Sequence, residues 1–237
     1  MNRNLWFAFA ALCVLGLVAL FVFKPAGVPF TGDPTQVVAD DHVYGNKDSK
    51  VVLIEYADFQ CPGCGAAFPI VKEIKEKYKD QIAYVYRYMP LVSIHPNAIA
   101  AAAGAEAAGL QGKFWEMHDL LYANQTSWSS ASSSTRNSFY EQFAEQLGLN
   151  MTTYKSDVAS SKVLDRISRD QSAAKKAGLQ PSTPTFVLNG TKVTLTDLQD
   201  SNTYTVDKFS SLLDKELKKF NIAPPATAEK AADATTN

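Results

Sequence analysis

Cys61-Pro62-Gly63-Cys64 is the stretch of this chain whose residue types and spacing could do chemistry. Two thiols one helical turn apart can cycle between a dithiol and a disulfide. It follows a short β-branched run and precedes a helical pattern, so Cys61 falls at an N-cap and Pro62 at the first helical position, where its missing N–H is not needed. The free amides of Gly63 and Cys64, with the helix dipole behind them, would stabilise a thiolate at Cys61. Cys64 lies deeper. The lower pKa makes Cys61 the sulfur attacked in the disulfide and the better leaving group afterwards.

Zinc uses the same cysteine spacing but needs about four ligands. There is no second cysteine pair, and His42, His95 and His118 show no paired ligand spacing. No metal is expected. A purely structural disulfide is also disfavoured, because so small a loop restricts the unfolded chain little. The third of the chain's three cysteines, Cys13, lies in an apolar run and reads as a small hydrophobe.

The elements around the pair follow from hydrophobic patterning. Val51 to Tyr56 (VVLIEY) and Ile82 to Met89 (IAYVYRYM) suit buried strands. Between them, Phe68, Val71, Ile74 and Tyr78 recur at helical spacing over Cys61 to Tyr78, giving strand, helix, strand, the signature of a parallel pair. Pro69 should kink that helix. From about 91 to 178 the pattern is helical, with pieces at Pro96 to Gly109, through Phe114, Met117 and Leu121, at Ser138 to Leu147 and at Met151 to Ala177. Thr126 to Thr135 reads as a polar connector. Strands return at Thr185 to Leu188 and Lys192 to Leu195 across an Asn189-Gly190 turn, and a last amphipathic helix covers Val206 to Phe220.

The termini differ from this core. Leu5 to Phe23 carries no charge or proline and would span roughly 28 Å as a helix, enough for a bilayer core. Such a run is longer than a signal peptide's apolar stretch and has no small-x-small cleavage site, so it reads as an uncleaved anchor. Arg3 and the amino terminus oppose only Lys24, which favours residues 1–4 in the cytoplasm and the remainder outside. Residues 24–40, with Pro25, Pro29 and Pro34, read as a linker or irregular arm, 41–220 as the catalytic domain, and 221–237 as a disordered tail. A net charge of -1 over 237 residues gives no electrostatic reason to expect nucleic acid.

Three motifs carry a resemblance to the DsbA family of extracytoplasmic thiol oxidases, especially its membrane-tethered members in bacteria with a single membrane. They are Glu55-Tyr56-Ala57-Asp58-Phe59-Gln60 leading into the cysteines, Gln111-Gly112-Lys113-Phe114-Trp115-Glu116-Met117, and Ser182-Thr183-Pro184-Thr185-Phe186. The resemblance implies an α/β thioredoxin-like fold with a helical insertion, preceded by one transmembrane helix. It implies a cis-proline at Pro184 facing the disulfide and a Thr183 backbone that pairs with extended substrate. Without it, an ordinary strand-entering proline is the better reading. Glu55 matches an acidic residue beneath the pair, where it would accept a proton from Cys64; a solvated carboxylate on an edge strand is the alternative. One departure stands out, since well-known oxidases of the family have His where this chain has Gly63, and the strength of the oxidant is open.

The function implied is introduction of disulfides into exported, cysteine-containing proteins. It needs no cofactor and relies on a membrane partner to reoxidise the pair. A reductase or isomerase on the same fold is the nearest alternative, and a tethered binding or chaperone module is a rival of a different class. His95 reads as a residue that precedes a helix, and Phe68 and Trp115 as core.

Overall fold

The computed structural model of the chain describes residues 28–226. The anchor expected at 5–23, the segment 1–4 before it and the chain beyond 226 lie outside the described residues. Among the described residues, no helix is long and apolar enough to cross a membrane.

The central sheet has strands β1 (His42–Gly45), β2 (Val52–Ala57), β3 (Ala83–Tyr88), β4 (Thr185–Leu188) and β5 (Thr191–Lys192), in the order β1-β3-β2-β4-β5. β2 and β3 are parallel, as the intervening helix α1 (Pro62–Lys77) requires, and the other pairings are antiparallel. β1 has no counterpart in the sequence reading; it is short and only partly buried.

β2 lies at the centre with both faces covered, which is why its residues read as an unbroken apolar run. Its alternate side chains divide between two cores. Val51 and Leu53 pack with Val71 and Ile74 of α1, while Val52, Ile54 and Tyr56 pack on the opposite face with Phe30, Ala173 and Ala174. Glu55 shares the parity of Leu53 and so points toward α1, with Tyr86 and Phe186 as its strand neighbours.

The helical insertion comprises α2 (Ala98–Gly109), α3 (Phe114–Ala123), α4 (Gln125–Trp128), α5 (Ser133–Gln146), α6 (Met151–Val158) and α7 (Ser161–Lys176). The polar connector expected over 126–135 is instead partly helical. Trp128 is fully buried, donates from Nε1 to the Leu121 carbonyl at 2.8 Å and packs edge-on against Tyr140, so one aromatic draws the polar stretch onto the core. The single helix expected from Met151 to Ala177 is two, because Ser160 caps a new start by accepting from the Val163 amide. α1 continues as one helix past Pro69.

Asn189 and Gly190 both have positive φ, 45° and 82°, the geometry of a two-residue hairpin turn. β5 is shorter than expected because Thr194 forms a capping box with Asp197 and starts a 3-10 turn, Leu195–Asp197. A small hairpin follows, β6 (Gln199–Asp200) with β7 (Thr203–Tyr204), then α8 (Val206–Lys219). α8 ends with Asn221 at φ 56° and the Ile222 amide donating to the Leu217 carbonyl, which carries the packed fold to Ile222.

Residues 28–41 are an irregular arm tied to the domain. Arg87 of β3 donates to the carbonyls of Pro34 and Gln36 and pairs with Asp41 through both carboxylate oxygens, at 3.0 and 2.7 Å. Both side chains of that ion pair are fully buried.

Candidate active site

The turn from β2 into α1 positions the cysteines. Cys61 occupies the N-cap with extended backbone (φ -67°, ψ 122°), Pro62 opens the helix, and the Cys61 carbonyl accepts from the Gly65 amide at 3.1 Å. Upstream, the Asp58 carbonyl accepts from the Cys61 amide and its carboxylate accepts from the Gln60 amide. The same carboxylate receives Leu91 N–H and His95 Nδ1, so His95, just before α2, also braces this turn. Cys61 is 7% exposed and Cys64 1%, and both are free thiols.

The two sulfurs are electrostatically unequal. The Cys64 thiol beside it, the Thr183 side chain and the amides of Cys64 and Gly63 together hold the Cys61 pKa down to about 5 against the opposing effect of burial. Burial, the neighbouring Cys61 and the Glu55 charge push Cys64 well up. One sulfur is therefore a thiolate near neutrality and the other a thiol.

Glu55 lies 3% exposed on the central strand, not on an edge, accepting a hydrogen bond from the Tyr84 hydroxyl. Burial raises its pKa to about 7, opposed by Tyr84 and by Lys75. Lys75 is itself buried on α1, with its Nζ 3.2 Å from Asp119 and over the Trp115 and Tyr44 rings at 4.5 and 4.9 Å. Phe59, Tyr86, Tyr122 and Phe68 pack edge-on around His118, whose pKa burial lowers to about 4.

The loop before β4 forms the other wall. Thr183-Pro184 is a cis peptide, and the Cys61 thiol lies 3.4 Å from the Thr183 carbonyl. A groove of about 770 Å³ extends from Gly63 past Pro184, Phe186, Val193 and Leu195 to Tyr204. The residues singled out in the sequence, Glu55, Cys61, Pro62, Gly63, Cys64, Thr183 and Pro184, are thus brought to one place. Tyr84, Lys75, Asn97 and Gln125 also surround it and carried no sequence signal, while Asp58 entered only as part of the motif that leads into the cysteines. Among the described residues, no cluster of side chains could hold a metal ion.

A family model described as thioredoxin matches residues 38–215. The chain belongs to the thioredoxin family. Within it, the fold is that of the DsbA-like thiol-disulfide oxidoreductases. Oxidised BdbD from Bacillus subtilis has a TM-score of 0.62 at 20% identity, covering 81% of this chain and 98% of that one. Wolbachia pipientis alpha-DsbA1 has a TM-score of 0.64 at 21% identity, over 79% and 97% of the two chains. Curated relatives resemble this thioredoxin-family chain more closely in sequence but only over a part of themselves. A protein named Na(+)/H(+) antiporter NhaA 3 from Salinispora tropica is 41% identical over 150 residues, which are 63% of this chain and 22% of that protein. NhaA 1 from Mycolicibacterium vanbaalenii is 39% identical over 154 residues, again 63% of this chain and 23% of the relative.

Proposed function

We propose that this thioredoxin-family chain is an extracytoplasmic thiol:disulfide oxidoreductase that introduces disulfides into exported proteins. The observation that carries it is the asymmetry of the pair, a Cys61 thiolate held at a helix start beside a buried, protonated Cys64. A reduced form stabilised in this way gives an oxidising disulfide.

In the oxidised enzyme a substrate thiolate attacks Cys61 Sγ, and the Cys61–Cys64 bond breaks with its electron pair on Cys64. Glu55, with a pKa about 7, delivers the proton that neutralises Cys64, directly or through water. A second substrate thiolate then attacks the substrate sulfur of the mixed disulfide and expels Cys61 as a thiolate. The substrate has lost two electrons and the enzyme holds them as the Cys61 thiolate and the Cys64 thiol. Thr183 and the groove beyond Pro184 receive an extended substrate segment through backbone pairing. A membrane-borne oxidant reoxidises the pair, and residues 5–23 hold the domain outside the membrane as a single-pass anchor; resistance to alkaline extraction and accessibility to external protease test that placement.

Equilibration with glutathione tests direction, since a potential near that of cytosolic reductants would make the chain a reductase. Cys64→Ala should accumulate mixed disulfides through Cys61, because the thiol inside the enzyme that can attack Cys61 and release the substrate is gone, and Cys61→Ala far fewer. Equal trapping by both variants, read by non-reducing mass spectrometry, would overturn the assignment of roles. Substrate binding that survives replacement of both cysteines by Ser, with no exchange in the native chain, would instead favour a binding module.

A further inference from the structure

The turn that carries Cys61 is gripped from outside by the helical insertion. The side-chain amide of Gln125 in α4 donates to the Phe59 carbonyl at 2.7 Å and to the Cys61 carbonyl at 2.9 Å, bridging the two sides of Gln60. The Gln60 side chain is held in turn, donating to the Ser129 carbonyl at 2.6 Å and accepting from the Asn97 amide at 2.6 Å. Phe59 is buried, and its carbonyl has no backbone donor among the described residues. Gln125 satisfies an acceptor that would otherwise be orphaned. α4 is pinned behind it by the buried Trp128.

A second, independent observation concerns Gly65. It sits inside α1 with ordinary helical backbone, where glycine is a poor residue and alanine a good one. A Cβ at Gly65 would collide with the Gln125 side-chain oxygen and approach its amide carbon to 2.9 Å. The glycine therefore answers to space rather than to backbone conformation. Its missing side chain is the slot through which the Gln125 amide reaches the Cys61 carbonyl.

We infer that Gln125 is a positioning residue for the redox reaction, clamping the backbone at Cys61 through a slot that Gly65 leaves open, so that the Cys61 sulfur stays aimed at the amides of Gly63 and Cys64. This inference rests on the thiol-disulfide reading above. The clamp acts through geometry. Cys61 is the N-cap, and its backbone angles decide whether its sulfur lies over the first free amides of α1 or swings away from them. With the clamp released, the sulfur samples poorer positions and the thiolate loses stabilisation, which makes the disulfide a weaker oxidant. The insertion thereby takes part in setting redox strength without touching the sulfur.

Three variants of the full chain test this. Gln125→Leu removes both donors at similar size; Gln125→Glu presents an acceptor to two carbonyls and adds a negative charge; Gly65→Ala leaves Gln125 in place but fills its slot. Titration of the thiolate absorbance and equilibration with glutathione are read on each, with far-UV circular dichroism to establish folding. Gln125→Leu and Gly65→Ala should both raise the Cys61 pKa and lower the equilibrium constant for oxidising glutathione about tenfold, equivalent to about 30 mV. Gln125→Glu should move both further. A purely structural clamp would lower stability while leaving titration and equilibrium at their native values, and that result in Gln125→Leu and Gly65→Ala overturns the inference. Should Gln125→Leu not fold, Gly65→Ala decides alone, because alanine is favoured in a helix. If the native chain does not exchange with glutathione at all, the thiol-disulfide reading fails, while the Cys61 titration still decides the clamp.

Discussion

Glu55 shows how one position governs the chemistry at the residue scale. Its pKa is raised from 4.5 to about 7 by burial, so the folded state favours the protonated carboxyl. The associated stability is fully present below about pH 4.5 and is lost as pH rises through about 7. Glu55→Gln should therefore be more stable than the native chain at pH 8, on the order of 3 kcal/mol, with the difference closing by pH 4.5 in urea unfolding. The same variant should slow formation of the mixed disulfide about a hundredfold, because Gln cannot deliver a proton to Cys64 as it leaves. Gly63 is the other residue of consequence. A Cβ there would meet Pro184 Cδ at 3.4 Å, Cys61 Sγ at 3.6 Å and the Thr183 carbonyl at 3.7 Å, all ordinary contacts. Gly63→His should thus fit and, by placing a cationic ring or a further N–H beside the sulfur, lower the Cys61 pKa and make the disulfide more oxidising, each tenfold in equilibrium constant being about 30 mV. A higher Cys61 pKa with a more reducing disulfide would refute this.

Among the elements, the arm at 28–41 is bound by a device in β3. Arg87 satisfies its donors with Asp41, the carbonyls of Pro34 and Gln36, and the Tyr56 hydroxyl, and the side chains of the Arg87–Asp41 pair are fully buried. Breaking a buried pair on one side leaves an uncompensated charge. Arg87→Leu should cost about 3–5 kcal/mol and open the arm to proteolysis, whereas the double variant Arg87→Met with Asp41→Leu should recover most of that loss. Denaturant unfolding of the single and double variants checks both. Because the ion pair is buried, salt should change these values little. An arm fastened in this way carries the chain from residue 28 to the sheet in one fixed path.

For the whole molecule, redox state and stability are linked through Cys61. Its pKa in the folded dithiol falls from 9.0 to about 5, a depressed value whose stabilisation is complete above pH 9 and is lost as pH falls through 5. At pH 7 this favours the folded dithiol by on the order of 2–3 kcal/mol. The reduced protein should accordingly unfold at higher urea than the oxidised protein at pH 7, although disulfides ordinarily stabilise. The gap should narrow by pH 4.5. An oxidised form that is the more stable at pH 7 would show that the thiolate is not held as described.

What the sequence by itself determined is local. The pair at Cys61 and Cys64 is placed at a helix start by capping preferences and a proline at the first position. The order β2, α1, β3 is legible from hydrophobic period, and the β4–β5 turn from Asn189-Gly190. What only the tertiary structure decided depends on segments distant in the chain meeting. Alternation along VVLIEY places Glu55 on one face but allows an edge as well as a centre, and the return of β4 to pair with β2 buries it. Thr126 to Thr135 is polar by composition, yet one buried Trp128 outweighs its serines. The proline-rich arm looks like a linker until Arg87, on a strand beyond it, captures its carbonyls. Gln125 shows no pattern at all, because a single amide bonding to two carbonyls leaves no period, spacing or composition to read.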